Sequence, residues 1–331
     1  MDGEFELIGR LRARIADAGA ATSESLLIGS GDDASVTAAA GVAVTSVDMV
    51  VEGVHFRREW STPRAIGHKA LAAALSDLAA MGAAPGEAFL QLGVPADFEG
   101  DELDDLAEGL AAVAARHGVA VAGGDVCRAP ALTLAVTVVG RGPSLESLVL
   151  RSGARPGELV AVTGELGGAA AGLALFERPE LAGGLDAGVA AALRRRQLEP
   201  EPRLEAGAAL AAAGAGAMID LSDGLGADAG HVAAASRVLI EIELDSVPVQ
   251  AGVADVAGAA GRESLELAAA GGEDYELLVT LAEPSLDPAR RALDTLGVSL
   301  TPVGHVAVGS GVRLAGPDGR PHPATGFDQL R

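Results

Sequence analysis

Apolar runs that lead straight into an aspartate beside glycine or serine recur along this chain. They constrain its fold more than any other feature. Val42-Ala43-Val44-Thr45-Ser46-Val47-Asp48 is one, and Val119-Ala120-Val121-Ala122-Gly123-Gly124-Asp125 is a second. Ala217-Met218-Ile219-Asp220-Leu221-Ser222-Asp223-Gly224 is a third. Aspartate is depleted inside strands, so each run reads as a strand that ends at its acid. A single such acid is ordinary turn or cap chemistry. A set of them is different, because strand ends on one edge of a sheet converge. Gly31-Asp32-Asp33 after a short strand and Leu75-Ser76-Asp77-Leu78 within a helix extend the set.

The pattern between these runs mixes strands and helices without strict alternation, which predicts an α+β protein in two lobes. Helical spacing covers Phe5 to Ala18, and Pro63 opens a helix that runs to about Ala80. Further helices are expected over Asp101–His117, Leu166–Phe176 and Leu225–Ser236, with an interrupted one from Leu185 to Ala213. Strands are expected at Leu26–Ile28, Val42–Thr45, Phe89–Val94, Val119–Ala122, Leu132–Val139, Glu158–Val162, Ala217–Ile219, Val238–Leu244, Leu277–Leu281, Val303–Val308 and Val312–Leu314. A break near Gly142-Pro143 divides the chain into lobes 1–142 and 143–331.

Charge narrows the function classes. Among 331 residues, 46 Asp and Glu stand against 24 Lys and Arg, a formal net charge of −22. Such a surface repels nucleic-acid phosphates and anionic lipid. One Trp, one Tyr and six Phe leave little for a base-stacking platform. Cys127, the single cysteine, excludes an internal disulfide and any multi-cysteine zinc site. The acidic N-terminus does not read as a signal peptide, and no run of about 18 apolar residues occurs. A cytoplasmic, soluble protein is expected, with no nucleic-acid or membrane partner.

Converging carboxylates are driven to protonate unless cations neutralise them. Hard oxygen donors without a His or Cys cluster point to Mg²⁺, which usually shares its shell with phosphates. The combination suggests phosphoryl transfer. The familiar phosphate motifs are absent: there is no G-x-x-x-x-G-K-[ST], and no protein-kinase signature set. Gly29-Ser30-Gly31-Asp32-Asp33-Ala34 fits G-x-G-x-x-A, but its two acids would repel a pyrophosphate. Taken alone, His55 reads as a buried histidine hydrogen-bonded at a strand end, and Arg151 and Arg155 as a solvated turn. Glu273-Asp274 reads as capping or flanking the Leu277 strand, and Asp104-Asp105 and Glu199 to Glu205 as solvated charge. Arg194-Arg195-Arg196 reads as a helix-end cluster facing the dipole.

In order, these segments resemble the thiamine-monophosphate kinase family, whose fold superfamily includes aminoimidazole ribonucleotide synthetase. The matching segments are Gly31-Asp32-Asp33, Asp48 with Gly53-Val54-His55-Phe56, Leu75 to Ala83, Gly123-Gly124-Asp125, Arg151 to Gly157, Ile219 to Leu225, and Gly271-Gly272-Glu273-Asp274-Tyr275-Glu276-Leu277. The resemblance implies transfer of the ATP γ-phosphoryl group to thiamine monophosphate, giving thiamine diphosphate. It implies several Mg²⁺ ions, with Asp33, Ser46, Val47 (through its carbonyl), Asp48, Asp77, Asp125, Asp220 and Asp223 as ligands. Gly124, Asp125, Arg151 and Ser222 would contact ATP, with His55, Glu273 and Phe327 near thiamine monophosphate. No catalytic base is implied; Asp48, Asp125 and Asp223 would act through metal. The implied fold has an N-terminal α/β lobe with a dimerising mixed sheet, a C-terminal α+β lobe, and a homodimeric assembly.

Some positions depart from the family pattern. Val47 stands where threonine is usual, Val126-Cys127-Arg128 where Thr-Thr-Arg is common, and Arg116-His117 where relatives carry a tyrosine. The alternatives are another ATP-using synthetase of the superfamily and a catalytically silent nucleotide- or metal-binding relative. The selenophosphate synthetase and hydrogenase-maturation branches lack their reactive cysteines here.

Overall fold

The structure, a computed structural model, describes residues 4–28, 36–38, 40–98, 100–316 and 320–326. Asp33, the glycine-rich segment around it and Phe327 lie outside the described residues. The chain forms two compact units, one of Met1–Leu78 with Ala83–Leu145, the other of Ala79–Gly82 with Glu146–Arg331.

The first unit contains α1 (Glu4–Asp17), a short β1–β2 pair (Leu26–Ile28, Val36–Thr37), β3 (Val42–Val51), α2 (Pro63–Ala80), β4 (Ala84–Val94), α3 (Asp101–Arg116), β5 (Ala120–Arg128) and β6 (Thr133–Gly142). Its main sheet runs β3-β6-β4-β5, with β4 and β5 parallel and the other pairs antiparallel. Alanine, the strongest helix former, fills α2, and proline sits in its first turn. Gly82, at φ 65°, ends it: the Gly82 and Ala83 N–H groups bond back to the carbonyls of Ala79 and Leu78. Helices α2 and α3 cross closely enough that a Cβ on Gly109 would stand 1.9 Å from the Arg64 carbonyl oxygen. Leu71, Leu75, Leu106, Leu110 and Leu134 fill the core of this unit. Along β3 every second residue from Val44 faces that core, while Val47 (65% exposed) and Met49 (50%) face outward.

The second unit contains β7 (Leu159–Thr163), α4 (Gly168–Glu177), α5 (Ala187–Leu198), α6 (Leu204–Ala212), β8 (Ala217–Asp220), α7 (Leu225–Ser236), β9 (Leu239–Glu243), α8 (Val253–Ala259), α9 (Ser264–Ala270), β10 (Leu277–Leu281), α10 (Glu283–Asp294), β11 (Leu300–Ala307), β12 (Gly311–Ala315) and β13 (Pro321–His322). Its sheet runs β13-β12-β9-β11-β7-β10-β8, antiparallel except for β12 beside β9. The central strands are apolar on both faces, as buried strands must be: all five residues of β10 are buried. Val160, Ile219, Leu225, Val232, Ile240 and Leu278 belong to the main core of this unit.

Two expectations about strand ends are corrected. Asp48 and Asp125 lie inside β3 and β5, each three residues before the end, because cross-strand pairing carries both strands on. Asp220 does close its strand, and Asp77 does lie within a helix.

Candidate active site: carboxylates and the loops that hold them

In the first unit the structure joins Ser46 and Asp77. The Ser46 hydroxyl on β3 donates to Asp77 Oδ2 on α2 at 2.5 Å. Asp48 lies two residues further along the same face of β3, and its Oδ1 accepts from the Met49 N–H at 2.7 Å. Cross-strand register continues this row from Asp48 through Val136 and Leu90 to Gly124. Asp125 occupies the next row, with Gln91, Ala135 and Met49, and so faces the other side of the sheet. Val47 shares that outward side, so its side chain points away from Ser46. His55 Nδ1 accepts from the Val51 N–H at 3.1 Å. Gly124 needs to be glycine, since a Cβ there would stand 2.2 Å from the Leu90 carbonyl oxygen. It lines a cavity of about 460 Å³ between α1 and β5, with Leu11, Arg12, Ile15, Leu90 and Val121.

In the second unit two sequence-distant loops are zipped together. The Glu273 N–H bonds to the Ser222 carbonyl (2.8 Å), Tyr275 N–H to that of Leu221 (2.9 Å), and Leu221 N–H to that of Glu276 (2.7 Å). Asp220, Ser222, Asp223 and Glu273 are thereby held on neighbouring strands of backbone. Glu273 and Tyr275 adopt left-handed φ values of 66° and 50°, a conformation non-glycine residues resist, so surrounding contacts must impose it. Those contacts are visible. Gln197 Nε2 donates to Glu273 Oε2 at 2.6 Å, and Arg196 to the Asp274 carbonyl at 2.9 Å.

Beneath this loop Glu276 is fully buried, bonded to Arg203 at 2.8 and 2.6 Å, Arg196 at 2.5 Å and Thr163 at 2.7 Å. Burial alone would raise its pKa, but the two guanidinium groups and the Thr163 hydroxyl hold it below the ordinary value. Asp274 is also buried and accepts from Gly167 N–H (2.6 Å) and Ala169 N–H (3.2 Å) at the start of α4. Burial pushes its carboxyl up to about 6, against the pull of Arg196 and those two bonds.

Asp228 on α7 buttresses the other loop. Its Oδ2 accepts from the Asp223 and Gly224 N–H groups at 3.1 and 3.0 Å. Burial, with Asp220 and Asp223 nearby, pushes the Asp228 carboxyl up to about 7. The turn carrying Arg151 is tied by Ser236, whose hydroxyl accepts from Gly153 and Ala154 N–H and donates to the Arg151 carbonyl. These donors and acceptors suit a divalent cation chemically: hard oxygens, and a buried carboxylate whose charge is opposed mainly by backbone N–H groups.

Several readings from sequence change here. Arg196 does lie in the last turn of α5, and beyond facing the dipole it pairs with Glu276 beneath Glu273. Asp104 is paired with Arg10 at 2.9 Å and Arg14 at 3.2 Å rather than solvated. Asp274 caps α4 instead of flanking β10 alone. Asp228, Gln197, Arg203, Ser236 and Glu276 were not singled out. Asp228 carried a local signal, an acid one helical turn beyond the Asp-Gly loop, and Glu276 lies inside the matched Gly271–Leu277 segment; the other three carried none.

Comparison with known proteins decides the family. Residues 31–142 match the AIR synthase related protein N-terminal domain, and residues 155–316 the corresponding C-terminal domain. A thiamine-monophosphate kinase of Mycobacterium tuberculosis (strain ATCC 25618 / H37Rv) is 39% identical over 289 residues, 85% of this chain and 81% of that protein. The chain belongs to the thiamine-monophosphate kinase family. Crystallographic neighbours of this kinase family agree. The thiamine-monophosphate kinase from Stenotrophomonas maltophilia K279a superposes with a TM-score of 0.82 at 36% identity, covering 96% of each chain. AaThiL complexed with AMPPCP and TMP superposes with a TM-score of 0.78 at 30% identity, covering 98% of this chain and 96% of the other.

Proposed function

We propose that this chain transfers the γ-phosphoryl group of ATP to the phosphate of thiamine monophosphate, releasing thiamine diphosphate and ADP, by direct in-line transfer. The observation that carries the reading is its likeness, across nearly the whole chain, to AaThiL complexed with AMPPCP and TMP. The site motifs support it: Ser46 and Asp77 joined, Asp48 on the same strand face, and the Asp220–Gly224 and Gly271–Glu276 loops zipped.

The acceptor phosphate monoester, with a second pKa near 6, is already largely ionised at neutral pH, so no residue need remove a proton. What opposes reaction is repulsion between two anions, and the remedy is positioning and charge compensation. Mg²⁺ ions would neutralise the triphosphate, held in the first unit by Ser46, Asp48 and Asp77, with the Val47 carbonyl and Asp33 as further members, and in the second by Asp220 and Asp223. Asp125, on the opposite sheet face, would hold an ion apart from Ser46 and Asp48. Arg151, whose turn Ser236 anchors, would add a fixed positive charge. Gly124, at the wall of the cavity beside α1, would admit the nucleotide closely. Glu273, kept in a left-handed conformation by its neighbours and bonded to Gln197, would face the thiamine monophosphate, with His55 and Phe327.

The first unit, residues 1–142 in this reading, would also dimerise through the outward sheet face bearing Val47 and Met49, with residues 143–331 as the second lobe. No helix of the described residues is long and apolar enough to cross a membrane, in keeping with a cytoplasmic enzyme. Stereochemistry tests the transfer step. Chiral γ-phosphorus in ATP should emerge inverted in thiamine diphosphate, and net retention would refute direct transfer.

A further inference from the structure

On α7, Asp228 and His231 are three residues apart and so share one helix face, with Asp223 in the loop just before it. One donor atom from each of the three lies within 4.8 Å of the other two, the one such trio among the described residues. Asp228 is 2% exposed and its orientation is fixed, because Oδ2 accepts from the Asp223 and Gly224 N–H groups. A carboxylate offers about four acceptor positions, and these bonds occupy two. Backbone bonds of this kind aim a carboxylate ligand and keep it from swinging away. His231 is exposed, so its imidazole can turn and an ion can reach it from solvent. An acid and a histidine at i and i+3 is the spacing by which bundle proteins direct two ligands from one helix at a single metal.

We propose that Asp223, Asp228 and His231 form a binding site for a divalent cation of the first-row transition class, through two carboxylate oxygens and one imidazole nitrogen. The donor set distinguishes it from the all-oxygen ligands assigned to Mg²⁺. Imidazole suits Mn²⁺ and its heavier neighbours, whereas Mg²⁺ favours carboxylate, carbonyl and water. Because Asp223 belongs to both sets, the loop after β8 would hold a transition ion more tightly than Mg²⁺. The three-residue geometry does not require the kinase reading; only the competition with Mg²⁺ at Asp223 rests on it.

The probe is Mn²⁺ alone, added to the full chain without ATP or thiamine monophosphate. Binding is followed by titration, and ligation by pulsed EPR, which detects a coordinated histidine nitrogen. The wild type should show nitrogen coupling. His231→Gln should lose it and weaken the tightest Mn²⁺ site by about tenfold or more. His55→Gln should keep it. A wild-type spectrum without nitrogen coupling overturns the proposal, as does unchanged Mn²⁺ affinity in His231→Gln. The wild-type spectrum decides even if the variant fails to fold. With no nucleotide or thiamine compound present, failure of phosphoryl transfer would leave this result untouched.

Discussion

Glu276 carries a full charge with no exposed surface, and its stability rests on Arg203, Arg196 and Thr163. Removing one partner of such a group leaves a buried charge uncompensated, which costs roughly 3–5 kcal/mol. Arg203→Met should therefore lower the free energy of unfolding by about that amount in denaturant titrations. A loss under 1 kcal/mol would mean the pair is not closed in solution. Asp274 predicts a pH dependence. Its folded carboxyl holds a proton to about pH 6, against about 4 when unfolded, so the native state binds more protons between those values. Stability from this group is therefore greatest at low pH and falls as pH rises from 4 to 6, by about 3 kcal/mol for a two-unit shift. Comparing wild type with Asp274→Asn at pH 4.5 and pH 7 checks the sign; equal differences at both values would contradict it. Asp48→Asn should lose most of kcat while keeping the wild-type unfolding midpoint, since the amide matches the carboxylate in size and its oxygen can still accept from the Met49 N–H. At this scale the sequence showed the acids and the left-handed loop's residues, but not their support. Arg196 and Glu276 are 80 positions apart, and nothing local links them.

Helices with strong local signals were legible almost to the residue. Helix α2 begins at Pro63 and ends at Ala80, and α7 spans Leu225–Ser236, because propensity, a first-turn proline and buried faces all agree there. Strands β3 and β5 were read too short, since a strand's end depends on its partner, and both partners continue. Helix α10 went unread because Pro288 lies within it, and an interior proline ordinarily argues against a helix. Helices α8 and α9, seven residues each, are too short to give a clear period. The α2–α3 crossing yields a prediction of its own. In Gly109→Val the new side chain meets the Arg64 carbonyl at a distance no Cβ tolerates, so the helices must separate. Destabilisation of about 2 kcal/mol or more is expected in thermal or denaturant unfolding, and a neutral variant would contradict the close crossing.

At the scale of the molecule, two α+β units and a strongly acidic surface were both foreseeable from pattern and composition, and the family match at 39% identity joins them to one chemistry. A dimerising sheet is implied by the resemblance, but which residues face outward from it was not legible, because Val47 and Met49 lie beyond the strand expected at Val42–Thr45. Val47→Asp should shift the particle mass measured by light scattering from dimer to monomer. A monomeric wild type would remove dimerisation through that face from the account. The most direct trial is to incubate the protein with ATP, Mg²⁺ and thiamine monophosphate and to quantify products by chromatography. Thiamine diphosphate should form in step with ADP, one for one. ADP without thiamine diphosphate, or tight ATP binding with neither product, would contradict the assignment.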